Sequence, residues 1–159
     1  MRTTTRAVLL AAASGPILLL LAGCAPIVAL HPAPDGINPK CAAVIVALPA
    51  TVAGLPSRQT DAQGTAAWGT PVGVVLHCGV PVPAPTATLP CITVLGVDWL
   101  RDDKDTANSI FTTYGRDPAV EVVIDGDQAS GLSTLTDLSF AVTSIPAAGA
   151  CISPQDSTK

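Results

Sequence analysis

Ser109-Ile110-Phe111-Thr112-Thr113-Tyr114-Gly115-Arg116-Asp117-Pro118-Ala119-Val120-Glu121-Val122-Val123-Ile124-Asp125 is the stretch whose reading decides the fold. Two runs rich in β-branched and aromatic residues flank Gly-Arg-Asp-Pro. That order predicts strands over Ser109 to Tyr114 and Ala119 to Asp125, joined as an antiparallel hairpin. In the second run Val120, Val122 and Ile124 alternate with Glu121 and Val123, so one face is drier than the other. A sheet with one dry face needs a second layer to cover it.

Working upstream, Val72 to Cys78 is short, β-branched and bounded by proline and glycine, and predicts another strand. Cys91 to Leu95 predicts a fourth, continuing through Gly96 to Trp99, with Gly96 read as a bulge or a close backbone approach. Gly79 to Pro90 holds Pro81, Pro83, Pro85 and Pro90 and reads as loop. Arg101 to Asn108 reads as a charged loop. Ser57 to Pro71, small and polar with Gly64 and Gly69, reads as a loop carrying Arg58 and Trp68. Two helices supply the cover. Asn38-Pro39 has the form of an N-cap followed by proline at the first helical position. Cys41, Val44, Ile45 and Leu48 then repeat at one-face spacing until Pro49, although Ala50 to Gly54 could add a turn. Leu132, Leu135, Leu138, Ala141, Val142 and Ile145 repeat in the same way and predict a helix over Ser130 to Ser144, ending before Pro146. The order α-β-β-β-β-α predicts an α+β fold: an antiparallel four-stranded sheet with two helices packed on one face, stapled by disulfides.

The start of the chain reads as an address. Arg2 and Arg6 precede an apolar run from Ala7 to Ala22, the pattern of a secretory signal. The run is short for a membrane span, which needs roughly 20 apolar residues, and Gly15-Pro16 interrupts it. It ends in Leu21-Ala22-Gly23-Cys24, which resembles the bacterial lipoprotein box. The resemblance implies cleavage before Cys24 and a diacylglyceryl group on its thiol. The expected organisation is a signal peptide over 1–23, a proline-rich tether over 24–39 and one domain over 40–159. The expected location is the extracytoplasmic face of the cell membrane, held by lipid.

The formal charge is −4 for the whole chain and becomes more negative when Arg2 and Arg6 leave with the signal. An acidic domain with few basic residues is a poor fit to nucleic acid. With Cys24 taken by lipid, Cys41, Cys78, Cys91 and Cys151 remain, an even set that reads as two disulfides in an exported chain. Three connectivities are open. Cys78–Cys91 would staple the ends of neighbouring strands, leaving Cys41–Cys151 to tie the first helix to the C-terminal tail. Close CxxC pairs of the kind that gather zinc are absent.

Several short pieces belong together: Cys41-Ala42-Ala43, Leu48-Pro49-Ala50-Thr51-Val52-Ala53-Gly54-Leu55, Arg58, Trp68-Gly69, Leu76-His77-Cys78-Gly79-Val80, Val97-Asp98-Trp99 and Tyr114-Gly115-Arg116-Asp117-Pro118. As a set they resemble the actinobacterial lipoproteins grouped as domain of unknown function 3515, over roughly Pro39 to Pro146. The resemblance implies an exported, membrane-anchored protein and assigns no biochemistry. The family pattern favours arginine before the second cysteine. This chain has His77 there, which argues against a role needing a fixed positive charge.

Reaction chemistry is hard to find in the residues. His31 lies in the proline-rich tether. His77 would need a nucleophile and an orienting acid within hydrogen-bond reach, and no GxSxG elbow is present. Asp102, Asp103 and Asp105 cluster, but a calcium loop counted from Asp103 would put Ala107, Asn108 and Tyr114 at its fifth, sixth and twelfth places. Counted from Asp125, Ala129 and Thr136 fall at the fifth and twelfth. GxxxxGK[ST], HExxH and GxGxxG are absent. Aromatic residues make up only 3 % of the chain, too few for a sugar-stacking platform. No cofactor or metal is expected. The candidate binding residues are Arg58, Trp68, Asp98, Trp99 and Arg116, because arginine and tryptophan anchor interfaces most often. The bland alternative is that the tryptophans fill the core and the arginines satisfy buried carbonyls or Asp98. The sequence therefore predicts a non-catalytic binding or scaffolding domain whose partner is an envelope protein or a small ligand. The alternative is an envelope hydrolase using Asp98 or His77, acting in wall metabolism.

Overall fold

Asn38 begins the first helix as its spelling predicts. In a computed structural model, which describes residues 26–105 and 107–151, its side chain accepts a hydrogen bond from the Lys40 amide at 3.0 Å, and proline takes the first turn. This helix, α1, spans Pro39–Ala47 and ends where Pro49 forbids continuation. Cys41 and Val44 are fully buried on its inner face. The second helix, α2, spans Gly131–Val142 and buries Leu135, Leu138, Ala141 and Val142. The apolar periodicity of both segments is thus the periodicity of their packed faces.

Between the helices run eight strands: β1 (Thr51–Val52), β2 (Leu55–Arg58), β3 (Thr65–Trp68), β4 (Val74–Val80), β5 (Cys91–Val94), β6 (Val97–Asp102), β7 (Asn108–Thr113) and β8 (Ala119–Asp125). They form one antiparallel sheet in the order β1-β2-β3-β4-β8-β7-β6-β5. Leu76 pairs with Val122, and Val122 with Phe111, so these side chains share a face. That face also carries Val74, Cys78, Val120, Ile124, Val97 and Trp99. The two helices cover it to form a single core. The opposite face carries Val75, His77, Glu121, Val123, Ile110 and Thr112, all half-buried. The drier face expected from Val120, Val122 and Ile124 is the helix-covered one.

The four-stranded sheet expected from the sequence is corrected to eight strands. Two of the misreadings share one cause. Ala53-Gly54 (φ 49° and 80°) and Leu95-Gly96 (φ 47° and 78°) are two-residue reversals with positive φ at both positions. Such turns suit the twist of a hairpin but are usually spelled Asn-Gly or Asp-Gly. With alanine and leucine in the first place, the segment after Pro49 reads as a further helical turn, and Cys91 to Trp99 reads as one strand with a bulge. In the structure the first reversal joins β1 to β2, and the second joins β5 to β6. Strand β3, Thr65-Ala66-Ala67-Trp68, was expected as loop because its small residues carry little β-propensity. Burial between β2 and β4 makes it a strand.

The disulfides also differ from the expected pairing of Cys78–Cys91 with Cys41–Cys151. Cys41 bonds Cys78, joining α1 to β4 with Cα atoms 5.5 Å apart, and Cys91 bonds Cys151, joining β5 to the C-terminal segment. The physical reason is the sheet order. Strands β4 and β5 are consecutive in sequence yet lie at opposite ends of the run β4-β8-β7-β6-β5. Cys78 instead faces α1 in the core, and Cys91 lies on the other face, where the C-terminal segment returns.

Within the stretch expected as a proline-rich tether (24–39), the described residues from Pro26 onward are bonded to the domain at several points. The Val28 amide donates to Gln59 O (2.8 Å), the Leu30 amide to Asp61 Oδ1 (2.8 Å) and the Asp35 amide to Gly79 O (3.0 Å). Gly79, at φ 93°, lies so close to the Asp35 backbone that a Cβ would collide with it. Cys24 lies outside the described residues.

Each disulfide closes a loop, spanning 37 and 60 residues. Replacing either pair by alanines should lower unfolding free energy by about 4 kcal/mol on the loop-entropy account. Denaturant unfolding under non-reducing conditions measures it. Non-reducing peptide mapping should recover Cys41 with Cys78; a Cys78–Cys91 peptide would contradict the sheet order.

Candidate functional site

Arg58, Trp68, Asp98, Trp99 and Arg116 do not meet. Arg58 and Trp68 sit on β2 and β3 at one side of the sheet; Asp98 and Trp99 sit on β6 and Arg116 on the β7–β8 connection at the other. Trp68 and Trp99 are four strand spacings apart, roughly 19 Å. Both indoles are buried in the core, at 1 % and 0 % exposure. Trp68 Nε1 donates to Pro49 O (3.2 Å), and Trp99 Nε1 has no partner among the described residues.

The arginines act as pins. Arg58 Nη1 donates to Gly69 O (2.9 Å) and Thr70 Oγ1 (2.8 Å), and its Nη2 donates to Pro26 O (2.6 Å). Arg116 is 4 % exposed. Its Nη1 donates to Ile145 O and its Nη2 to Gly96 O at 3.2 Å. One side chain thus joins the end of α2, the β5–β6 turn and the β7–β8 connection. Burial lowers its pKa from the ordinary arginine value, and the nearby charge of Asp98 partly opposes that. Among the described residues Asp98 makes no ion pair at contact distance; its carboxylate accepts from Thr93 Oγ1 (2.5 Å) and the Cys151 amide (2.8 Å). Gly115, at φ 71°, packs against Gly149 with no room for a Cβ, which brings the C-terminal segment along this connection.

His77 lies on the open face of β4, and Asp98 on the open face of β6. Their strands are three spacings apart, roughly 14 Å. Asp102, Asp103 and Asp105 organise their own loop. Asp102 accepts from the Lys104 amide and ion-pairs its ammonium (3.2 Å), Asp103 pairs Arg101 (2.7 Å), and Asp105 accepts from the Ala107 amide and the Asn108 side chain (both 2.9 Å). The amide of Lys104 holds the Asp102 pKa down, and the Asn108 side chain, then the Ala107 amide, does so for Asp105.

A concavity lies on the open face beside β5 and β6. The loop after β4 arches over it and leaves a cleft of about 520 Å³, lined by Pro85, Leu89, Pro90, Leu100, Thr93, Tyr114 and the Cys91–Cys151 disulfide, with Thr86 and Ala87 on the loop. A second hollow of about 210 Å³ opens between Val82-Pro83 and Gly115 to Asp117, and Tyr114 lines both. The lining mixes prolines and leucines with a phenol and two threonines, whose hydroxyls bond Thr88 and Asp98; a concave site of mixed lining can take a small molecule or a peptide segment. Of the expected binding residues only Arg116 touches either hollow, at the wall of the smaller one. Tyr114, the chain's single tyrosine, standing just before the Gly-Arg-Asp-Pro turn, was the available signal.

A family model described as "Protein of unknown function (DUF3515)" matches residues 7–150. The chain belongs to this family. DUF3515 membership agrees with the resemblance carried by the short motifs, and the match extends beyond them at both ends. Comparison of this DUF3515 chain with curated proteins and with solved structures finds no match.

Two separate pins should behave additively. Arg58→Ala and Arg116→Ala each remove charge-assisted bonds to backbone carbonyls; the Arg116 change should destabilise by about 2–4 kcal/mol. The double variant should equal the sum, since sites more than about 10 Å apart do not couple. Urea unfolding of the four-member cycle checks this, and a large coupling energy would mean the arginines share a site.

The depressed aspartates give a pH signature. A carboxylate whose folded pKa lies below its unfolded value stabilises above the unfolded value, 3.8, and loses that contribution as pH falls through the folded pKa. Acidification below that value should therefore release the β6–β7 loop while β8 stays protected. Amide exchange at Lys104 and Ala107, normalised for intrinsic rates, reads this directly.

Proposed function

We propose that this chain is a lipid-anchored, non-catalytic binding domain on the extracytoplasmic face of the cell membrane. Its ligand or partner segment would sit in the cleft beneath the Gly79 to Pro90 loop. The observation that carries the reading is how the polar groups are used. Arg58, Arg116 and Asp98 are spent on backbone and hydroxyl partners inside the fold. The cleft, by contrast, leaves a wall of prolines and leucines and the Tyr114 side chain facing its opening, while the hydroxyls of Thr86 and Thr93 are already bonded within the fold.

The anchor is supported by the lipoprotein-box spelling of Leu21 to Cys24 and by two disulfides, which persist in oxidising compartments. The family match begins at Ala7, inside the apolar run that precedes the box. A cleft of this size accommodates a small amphipathic molecule or a few residues of an extended chain from an envelope protein. The hydrolase alternative has less support. His77 and Asp98 stand strands apart, and both oxygens of Asp98 already accept hydrogen bonds.

A photoreactive amino acid at Ala87, on the loop over the cleft, should yield a discrete covalent adduct in living cells. Tyr114→Ala should abolish that adduct while leaving the fold intact. The same probe at Phe140, which is 81 % exposed on the outer face of α2, should not yield it. An equal adduct from Phe140, or one that survives Tyr114→Ala, would remove the cleft from consideration.

A further inference from the structure

We infer that the domain is seated directly on the bilayer by its β2–β3 side, with no spacer between, and that it presents the β5–β6 cleft away from the membrane. The inference rests on the lipid anchor at Cys24 proposed above. It follows from where the chain becomes fixed. Pro26 O accepts from the half-buried Arg58 (2.6 Å), and Val28 bridges Thr60 in parallel. The backbone is therefore tied to β2 and its following turn from Pro26 onward. Only Ala25 separates Pro26 from Cys24, and two residues of fully extended chain reach at most about 7 Å. A lipidated Cys24 therefore keeps the Pro26 backbone within about 7 Å of its own Cα, so that the glyceryl group and the Arg58 end of the sheet are separated by little more than that and two side-chain lengths.

The surface brought down is formed by Pro26, Ile27, Pro56, Thr70 and Pro71, all exposed. Ile27, at 59 % exposure, is its large apolar side chain. A proline-rich, apolar and largely uncharged patch of this kind suits the headgroup layer better than bulk water. From β2 to β5 the sheet steps through six strand spacings, on the order of 29 Å along its width. The cleft residues Thr93 and Leu100 therefore lie at the far side from the anchor. The same short link that seats the domain sets the height at which a partner is met.

The full chain, purified with its native lipid, would be placed in phosphatidylglycerol–phosphatidylethanolamine nanodiscs containing a lipid with a headgroup nitroxide. A fluorescent amino acid at Gln59 should be quenched several-fold more strongly than one at Ala87. Inserting eight glycine and serine residues between Ala25 and Pro26 leaves every described contact in place and should erase the difference. Val28→Pro, which removes the Val28 amide bond to Gln59, should weaken it. Equal quenching at the two positions in a chain whose intact mass carries lipid overturns the seating and leaves the anchor standing. A strong Gln59 preference that survives the insertion overturns it as well. An intact mass without lipid at Cys24 overturns the anchor, and the seating falls with it.

Discussion

The guanidinium of Arg116 is the contact on which one side of this molecule depends. It lies almost wholly out of water and holds Ile145 O and Gly96 O from within the β7–β8 connection. Without it, two chain segments that meet the β7–β8 connection at the rim of the core would present carbonyls to apolar surroundings, which is costly. Its planar fork reaches two carbonyls at once, which a lysine ammonium on a flexible stem does less well. The position of Tyr114, two residues earlier, follows from the same pin, and with it one wall of the cleft.

Arg58 does the corresponding job on the other side, joining Pro26 to the turn after β3. The charged and aromatic residues that look most functional in the sequence are thus structural in position. Tryptophan and arginine anchor interfaces because they combine large area with several donors. The same properties suit them to a small domain whose loops must be held by few side chains. The surface left for recognition is made instead of proline, leucine, threonine and one tyrosine.

Legibility in the sequence followed the strength of local signals. Asn38-Pro39 and the apolar stripes of both helices were readable because capping and periodicity are local, and β8 was readable from its alternation. Strands β1, β2 and β3 were not, because Ala53-Gly54 does not advertise a hairpin and Thr65-Ala66-Ala67 does not advertise a strand. Tertiary pairing supplied what propensity lacked. The disulfide partners depend on strand order, which is non-local, so Cys78 and Cys91 looked like neighbours in sequence while lying far apart in the sheet. The cleft was illegible for a similar reason: Leu89, Leu100, Tyr114 and Cys151 come from four places along the chain.

The strand order has a further consequence for how the molecule comes together. β1 to β4 form one meander and β5 to β8 another, and their strands pair only where β4 lies against β8. Each meander has its own helix and its own disulfide: α1 with Cys41–Cys78 in the first, α2 with Cys91–Cys151 in the second. No covalent cross-link crosses the seam. Every other strand pairing closes a short loop at small entropic cost, whereas the β4–β8 seam must wait for the whole second meander. The sheet is in this sense two stapled meanders zipped along one non-covalent line, and the α2 side chain of Asp137, bonded to the Ala53 amide, helps hold the two together over it.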